Sequence, residues 1–254
     1  MTAVPLLLAP LLMALASVVE RRLGPSAAGW FAALPIAFSV AVLAVSLDIG
    51  TSPAAAMALS AAAHVPAQVA FGAVFASVLI RRGPLAGLAS GIATYAGISI
   101  LLTCVPAPVA ISGAIPVLLL APRLMTRGTP PAASPRSRLT TALTCVGAAV
   151  IVAAAVTASH FAGPGTAGAV AAFPTMSTLV AIAAARGDGP IAGAHALTGL
   201  VRSLPCYLTF CLVVALAAPR AGVAAIALGL LACLLAARAT WRAVPLAPQA
   251  VSLR

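Results

Sequence analysis

The residue with the clearest chemical meaning is Arg202, which lies in the middle of a long apolar stretch of the chain. An arginine at the centre of a membrane span costs about 2.5 to 3.5 kcal/mol, so it is usually retained only beside a partner or a hydrated cavity. The three acidic residues, Glu20, Asp48 and Asp188, are all predicted near the membrane surfaces. Three interpretations of Arg202 therefore stay open: it bonds backbone carbonyls freed by a nearby proline, it binds an anionic group of a substrate, or its side chain snorkels to the surface.

Polar side chains accompany Arg202 along one face of its predicted helix. They recur at offsets of 0, 3, 7, 11 and 14 residues, which is one side of an α-helix: His195, Thr198, Arg202, Cys206 and Thr209. An earlier apolar run carries a second set at steps of four: Ser60, His64 and Gln68. Such faces turn toward other helices or a cavity. We therefore predict the following substrate-binding residues: Arg202, His64, Gln68, Ser39, Thr175, Thr178 and Tyr207.

His64 is the only titratable residue predicted deep within the first half of the chain. Histidine changes its charge near physiological pH, so His64 is a candidate for proton exchange during transport. The alternative is a packing residue whose ring is satisfied by its neighbours. His160 and His195 are weaker candidates, since both are predicted closer to the ends of their spans.

The sequence lacks the residue sets of catalysis and of metal binding. Paired carboxylates, a metal-ligand cluster and a Ser/His/Asp arrangement are all missing, so we predict no catalytic residue, metal or cofactor, and an intramembrane enzyme is the least favoured function. The five cysteines show no CxxC spacing, so neither a disulfide nor a metal site is predicted. Gly163-Pro164-Gly165 lacks the Lys and Ser/Thr of a phosphate-binding loop, which excludes ATP-driven pumping by this chain alone.

Composition determines the class of protein that must position these residues. With 63% hydrophobic and 7% charged residues and a mean hydropathy of +1.16, the chain has no stretch long and polar enough for a soluble domain. The net charge of +11 comes entirely from arginine, and the basic residues lie between apolar runs. This pattern indicates orientation in a lipid bilayer and argues against a nucleic-acid partner.

Apolar runs predict an all-α, polytopic membrane protein with about nine transmembrane helices, since roughly 20 residues cross the hydrocarbon. The predicted spans are 2–19, 27–47, 54–80, 85–105, 107–121, 139–161, 166–185, 190–218 and 221–238. The fifth is short and contains three prolines, so a re-entrant segment is its alternative. The first resembles a signal peptide but lacks a basic region before its apolar core, and we interpret it as a true span.

The chain also repeats itself. Residues 24–35 return 139 positions later as residues 163–174, with seven of the twelve positions identical, and Phe71 and Phe210 keep the same register. Two copies are therefore predicted, in residues 1–121 and 139–254, joined by a cytoplasmic linker in residues 122–138.

Arginine placement predicts how the copies cross the membrane. If all nine runs cross, twelve of the fourteen arginines lie on one side, with Arg220 opposite and Arg202 within a span. The positive-inside rule then predicts an N-terminus outside and a cytoplasmic C-terminus, in the bacterial inner membrane. Because five spans separate the starts of the two copies, equivalent helices would cross in opposite directions, as inverted repeats.

Prolines at equivalent positions predict interruptions of these helices. They form two pairs, Pro35 with Pro174 and Pro66 with Pro205. Each proline removes a backbone donor and disturbs the preceding turn, and such defects survive in lipid only where protein or water covers them. The alternatives are simple kinks that shape packing, or discontinuous helices that line a binding site.

The second copy resembles a known family over residues 163–242. Ala167-Gly168, Phe173-Pro174-Thr175, Gly187 and Leu204-Pro205 followed by Tyr207 are similar to the pattern of GlpM-type small inner-membrane proteins. The first copy has Leu34-Pro35-Ile36 and Val65-Pro66 but no matching tyrosine. The resemblance implies a helical membrane protein and supplies neither a substrate nor catalytic residues.

Two classes of function follow. We expect a secondary transporter or exporter of a small polar or anionic molecule, working by alternating access between inverted repeats. A flippase for a lipid-linked substrate is a variant of this expectation. The competing class is a non-transporting scaffold or assembly component of an envelope enzyme complex. The expected partners are the lipid bilayer and the substrate, and the oligomeric state is left open.

Overall fold

The computed structural model describes residues 3–125 and 164–242, together with residues 244 and 246. This part of the chain is 89% helical and contains no strand. Its helices are α1 (Ala3–Leu23), α2 (Pro25–Ala32), α3 (Ile36–Asp48), α4 (Thr51–Ala63), α5 (Val65–Arg82), α6 (Pro84–Thr103), α7 (Ala107–Leu124), α8 (Pro164–Ala171), α9 (Thr175–Asp188), α10 (Pro190–Ala221) and α11 (Ala224–Trp241). The predicted sixth span and residues 126–138 of the predicted linker lie outside the described residues.

Within the described residues, six segments are long and apolar enough to cross a bilayer: Pro25–Asp48, Val65–Arg82, Pro84–Thr103, Gly168–Asp188, Pro190–Ala221 and Ala224–Trp241. The apolar segment Ala107–Arg123 of α7 is shorter than these six segments, as its sequence suggested. Large aliphatic side chains point outward from these helices, for example Leu85 and Leu235, which are 76% and 71% exposed. Exposed aliphatic surface of this extent is stable against lipid but not against water. The protein is a multi-pass integral membrane protein.

The sequence repeat reappears in the helix boundaries. α2 begins and ends 139 residues before α8, and α3 begins 139 residues before α9. α4 begins and α5 ends at the positions that correspond to the two ends of α10. The second copy thus rebuilds the helical pattern of the first, except that the single helix α10 replaces the pair α4 and α5.

α10 lies at the centre of the described structure. It packs against α2, α4, α5, α9 and α11, and an unbroken run of its side chains from Ala192 to Val201 is buried. Its length of 32 residues corresponds to about 48 Å, longer than the hydrocarbon core is thick. α10 therefore connects most of the elements that carry the predicted site residues.

α5 and α10 run antiparallel where they touch. A Cβ atom on Gly72 would lie 3.0 Å from Val201, while one on Gly193 would lie 2.8 Å from Leu79. A residue nearer the end of α5 thus contacts a residue nearer the start of α10. The second part of α10 is the repeat equivalent of α5.

Two glycines hold the copies together through backbone contacts. A methyl group on Gly29 in α2 would collide with the main chain of Ala196 in α10, and one on Gly168 in α8 would collide with the main chain of Met57 in α4. Gly168 is the repeat equivalent of Gly29, and Ala196 is the equivalent of Met57. Exchanging the two copies therefore converts one contact into the other.

Candidate functional site

Pro35 and Pro174 each stand between two short helices, as their spacing predicted. Pro35 separates α2 from α3, and Pro174 separates α8 from α9. The same tight turn is formed at both places: the N–H of Ile36 donates to the carbonyl of Leu34 over 2.8 Å, and the N–H of Thr175 donates to Phe173 over 2.8 Å. Both copies therefore contain the same discontinuous helix.

No side chain caps the start of α3 or of α9. The predicted site residues Ser39 and Thr178 lie one turn further on and are buried, but their hydroxyls donate to carbonyls of their own helices over 2.7 and 2.8 Å. Thr175 is the first residue of α9 and is half-buried. The first N–H groups of both helices are left without a side-chain cap, and helix starts carry partial positive charge.

Tyr95 on α6 bonds the end of α8, the helix that precedes the interruption at Pro174. Its hydroxyl donates to the carbonyl of Ala169, near the end of α8, over 2.6 Å. Carbonyls in the last turn of a helix have no partner within that helix, so a buried helix end needs such a donor. Leu234 occupies the equivalent position in the second copy, so the first break is not closed in this way.

His64 marks the single-residue interruption between α4 and α5. Its Nδ1 atom lies 2.7 Å from the carbonyl of Ser60. Because a carbonyl only accepts hydrogen bonds, Nδ1 must carry the proton, and the neutral ring then presents a lone pair on Nε2. His64 is buried, and Nε2 has no partner among the described residues. The geometry thus leaves a proton acceptor inside the protein.

The predicted interruption at Pro205 is wrong. α10 continues through Pro205, whereas the equivalent Pro66 stands at the start of α5, directly after the break at His64. A proline removes one backbone donor, which does not end a helix that neighbouring elements hold on both sides. Packing of α10 against five other helices supplies that support.

Gln68 and Tyr207 face each other across α5 and α10. Both are buried, with 2% and 6% of their surfaces exposed. The Tyr207 side chain is near enough to those of Gln68 and Cys211 to interact with them, but among the described residues no atom meets the distance and angle of a full hydrogen bond to the Tyr207 hydroxyl or to Gln68 Nε2. Gln68 and Tyr207 are also repeat equivalents, separated by 139 positions.

Aromatic rings from both discontinuous helices pack against α5 and α10, a feature that the sequence analysis did not assign to the site. Phe38, in the first turn of α3, has its ring centre 5.4 Å from Tyr207 and 6.1 Å from Phe210. Phe173, in the second break, lies 5.3 Å from Phe71. The two discontinuous helices therefore contribute rings to the region where α5 and α10 cross.

Arg202 belongs to a different face of α10. Its stripe neighbours contact α2 and α11: His195 Nδ1 lies 3.5 Å from the Ser26 hydroxyl, and Cys206 lies 3.1 Å from the Thr240 hydroxyl. Arg202 lies near enough to His195 to interact with it electrostatically. The structure thus groups Gln68 and Tyr207 together and places Arg202 on the side of the helix that faces away from α5.

Glu20 lies in the last turn of α1 and is buried, unlike the two residues that follow it. It is only 3% exposed, near the end of α1, whereas the adjacent Arg21 and Arg22 are exposed. α1 packs against α2, α3 and α9, so Glu20 is part of the interior of the first copy. The apolar run alone gave no sign of this burial.

Similarity to known proteins does not identify this site. No protein-family model, curated protein or solved structure matches the chain. Among the described residues, no group of three or more His, Cys, Asp or Glu side chains is arranged to hold a metal ion. The geometry of the site is therefore the basis of the function proposed below.

Proposed function

We propose that this protein is a secondary transporter or exporter of a small polar or anionic molecule, which works by alternating access between two inverted repeats. One observation carries the proposal: the same discontinuous helix, with the same turn at Pro35 and Pro174, occurs in both copies. Broken helices within the membrane persist where they line a binding site, because their free backbone groups need partners.

The packing of equivalent helices supports an inverted arrangement. α10 occupies the place that α4 and α5 together hold in the first copy, and it touches α5 in an antiparallel manner. The contacts of Gly29 and Gly168 are exchanged when the copies are exchanged. Both observations are expected for two halves related by a twofold axis in the plane of the membrane.

We further propose that the protein lies in an inner membrane, with its N-terminus outside and its C-terminus in the cytoplasm. The distribution of the arginines predicts this orientation. Arginines at the ends of α1, α5 and α11 are exposed: Arg21, Arg22, Arg81, Arg82, Arg238 and Arg242. The similarity to GlpM-type inner-membrane proteins also stays a proposal, and it contributes no substrate.

His64 is the proposed site of proton coupling. Its Nε2 atom is buried and unpartnered among the described residues, and its tautomer is held by Ser60. It also lies where the first copy is interrupted between α4 and α5 and the second copy continues as α10. Binding of a proton there would act on the element that differs between the two halves.

Cysteine labelling from each side of the membrane tests alternating access. Ser39→Cys and Thr178→Cys form a matched pair, since they occupy equivalent positions and are both buried. Each is introduced into a chain whose five native cysteines are replaced by alanine, reconstituted in liposomes, and exposed to a membrane-impermeant thiol reagent. We expect the two positions to react from opposite sides, because an inverted arrangement places equivalent residues on opposite pathways.

Ala58→Cys is the control, because Ala58 is completely buried and should stay unreactive from both sides. If Ser39→Cys and Thr178→Cys are as unreactive as the control, a non-transporting scaffold is the better account. If both react from the same side only, the inverted arrangement is incorrect.

A further inference from the structure

We infer that Gln68 and Tyr207 form the central ligand site and that its ligand is a small monocarboxylate with an apolar body. This inference rests on the proposed transport function and names the substrate class of that function. It draws on the position of the pair, its unpartnered polar atoms, the start of α3 and the neighbouring rings.

The pair lies where the two halves meet. Gln68 and Tyr207 hold the same position in the two copies and face one another across antiparallel helices. Residues that are equivalent and in contact must lie at the axis that relates the copies. A ligand bound there can be reached from either side of the membrane by a small movement of one half against the other.

The polar atoms of the pair lack the partners that burial demands. Neither the Tyr207 hydroxyl nor Gln68 Nε2 is hydrogen-bonded among the described residues, although both side chains are more than nine-tenths buried. Leaving such groups unpaired is unfavourable, so their retention indicates a partner that arrives with the ligand. Both are hydrogen-bond donors, and a carboxylate is an acceptor with two oxygens.

The start of α3 adds a favourable field for a negative charge. Phe38, the third residue of α3, packs its ring against that of Tyr207. The first turn of α3, which has no side-chain cap, is therefore the helix start that belongs to the same cluster as Tyr207. A helix start is equivalent to roughly half a positive charge, which suits one carboxylate better than a doubly charged phosphate.

The rings define the remainder of the ligand. The ring of Phe38 packs against Tyr207 and in turn against Phe210, so the Tyr207 side of the pair is bordered by apolar surface. Arg202, which would favour a second anionic group, is on the opposite face of α10. A molecule with a single carboxylate and a short aliphatic or aromatic body matches this environment.

Binding to purified protein in detergent tests the inference. The probes are acetate, butyrate, octanoate and benzoate, with butylamine and benzylamine as size-matched cations. The variants are Tyr207→Phe and Gln68→Leu, and the affinity control is Thr94→Val, whose hydroxyl bonds the carbonyl of Ser90 in its own helix. We expect at least one carboxylate and neither amine to raise the melting temperature of the wild-type protein.

Affinity for that carboxylate, measured by titration calorimetry, should fall about tenfold or more in Tyr207→Phe and Gln68→Leu, since each removes one charge-assisted hydrogen bond. The affinity of Thr94→Val should stay at the wild-type value. Absence of any shift with all four carboxylates, or unchanged affinity in the two site variants, overturns the inference.

Stability without ligand gives a second test. Tyr207→Phe should raise the melting temperature because it removes an unpaired buried hydroxyl, whereas Tyr95→Phe should lower it because it removes a bonded one. A lower melting temperature for Tyr207→Phe would show that its hydroxyl is already paired and would overturn the inference. If carboxylates bind but Ser39→Cys and Thr178→Cys do not react from opposite sides, the ligand site is retained and transport is rejected. If the two cysteines react from opposite sides but no carboxylate binds, transport is retained and this ligand site is rejected.

Discussion

The close approach of α2 to α10 makes a quantitative prediction about Gly29→Ala. The new Cβ atom would lie 2.6 Å from the carbonyl carbon and 2.9 Å from the Cα of Ala196, and closer still to its oxygen. Ordinary contacts of a Cβ atom begin at 3.4 Å. The obstacle is main chain within a helix, which cannot rotate away, so the two helices must separate by roughly 1 Å.

The expected cost follows from these distances. Overpacking typically costs about 1–3 kcal/mol, and the upper end applies here because main chain meets main chain. The change from Gly to Ala returns about 1 kcal/mol through better helix propensity. The net destabilisation of Gly29→Ala is therefore about 2 kcal/mol, which corresponds to roughly 4 to 8 °C in melting temperature.

Thermal unfolding of purified variants in one detergent measures this effect. Gly168→Ala should be destabilised to a similar degree, since Gly168 meets Met57 and Ser60 in the equivalent contact. Gly97→Ala is the matched control, because a Cβ atom there meets nothing within 4 Å. Its melting temperature should equal or slightly exceed that of the wild-type protein.

A result in which Gly29→Ala and Gly97→Ala unfold at the same temperature would refute the reasoning. It would mean that the two helices are not in main-chain contact in the membrane protein. A large effect at Gly29 with none at Gly168 would instead refute the equivalence of the two contacts.

Two further predictions concern hydrogen bonds within the bundle. His64→Asn should keep nearly the wild-type stability, because an asparagine amide can donate to the Ser60 carbonyl as Nδ1 does. His64→Ala should lose about 1 kcal/mol, since it removes this hydrogen bond. Equal stability of the two variants in thermal unfolding would contradict this prediction. In proteoliposomes, uptake by His64→Asn should no longer respond to a proton gradient, and a retained response would remove His64 from the coupling. Thr240→Val should destabilise the protein by about 1 kcal/mol, since Trp30 donates to the Thr240 hydroxyl over 3.2 Å; Thr94→Val, which removes only a bond within its own helix, is the control and should change the melting temperature less.

Sequence periodicity and hydropathy predicted the helices well, because membrane spans are determined by length and apolar composition. The second predicted span, 27–47, corresponds to α2 and α3, and Pro35 and Pro174 do separate helices. Pro205 shows the limit of such reasoning. Whether a proline ends a helix depends on the packing around it, and that information is not local.

The composition of the site was predicted only in part. Gln68 and Tyr207 were both named, but their contact depends on how α5 crosses α10, which one sequence does not contain. The separation of Arg202 from Tyr207 was available in the sequence, since five residues along a helix place two side chains about 140° apart. The role of Phe38 carried no signal, because an aromatic residue in an apolar run is ordinary.

The difference between the two copies at His64 has a consequence for energetics. Two identical halves would give inward-facing and outward-facing forms of equal free energy by symmetry. Here the first half is interrupted between α4 and α5, while the second half carries the continuous helix α10. Under the proposed transport function, the two forms of the empty protein should therefore differ in free energy, and the apparent affinity for cargo should differ between the two sides of the membrane.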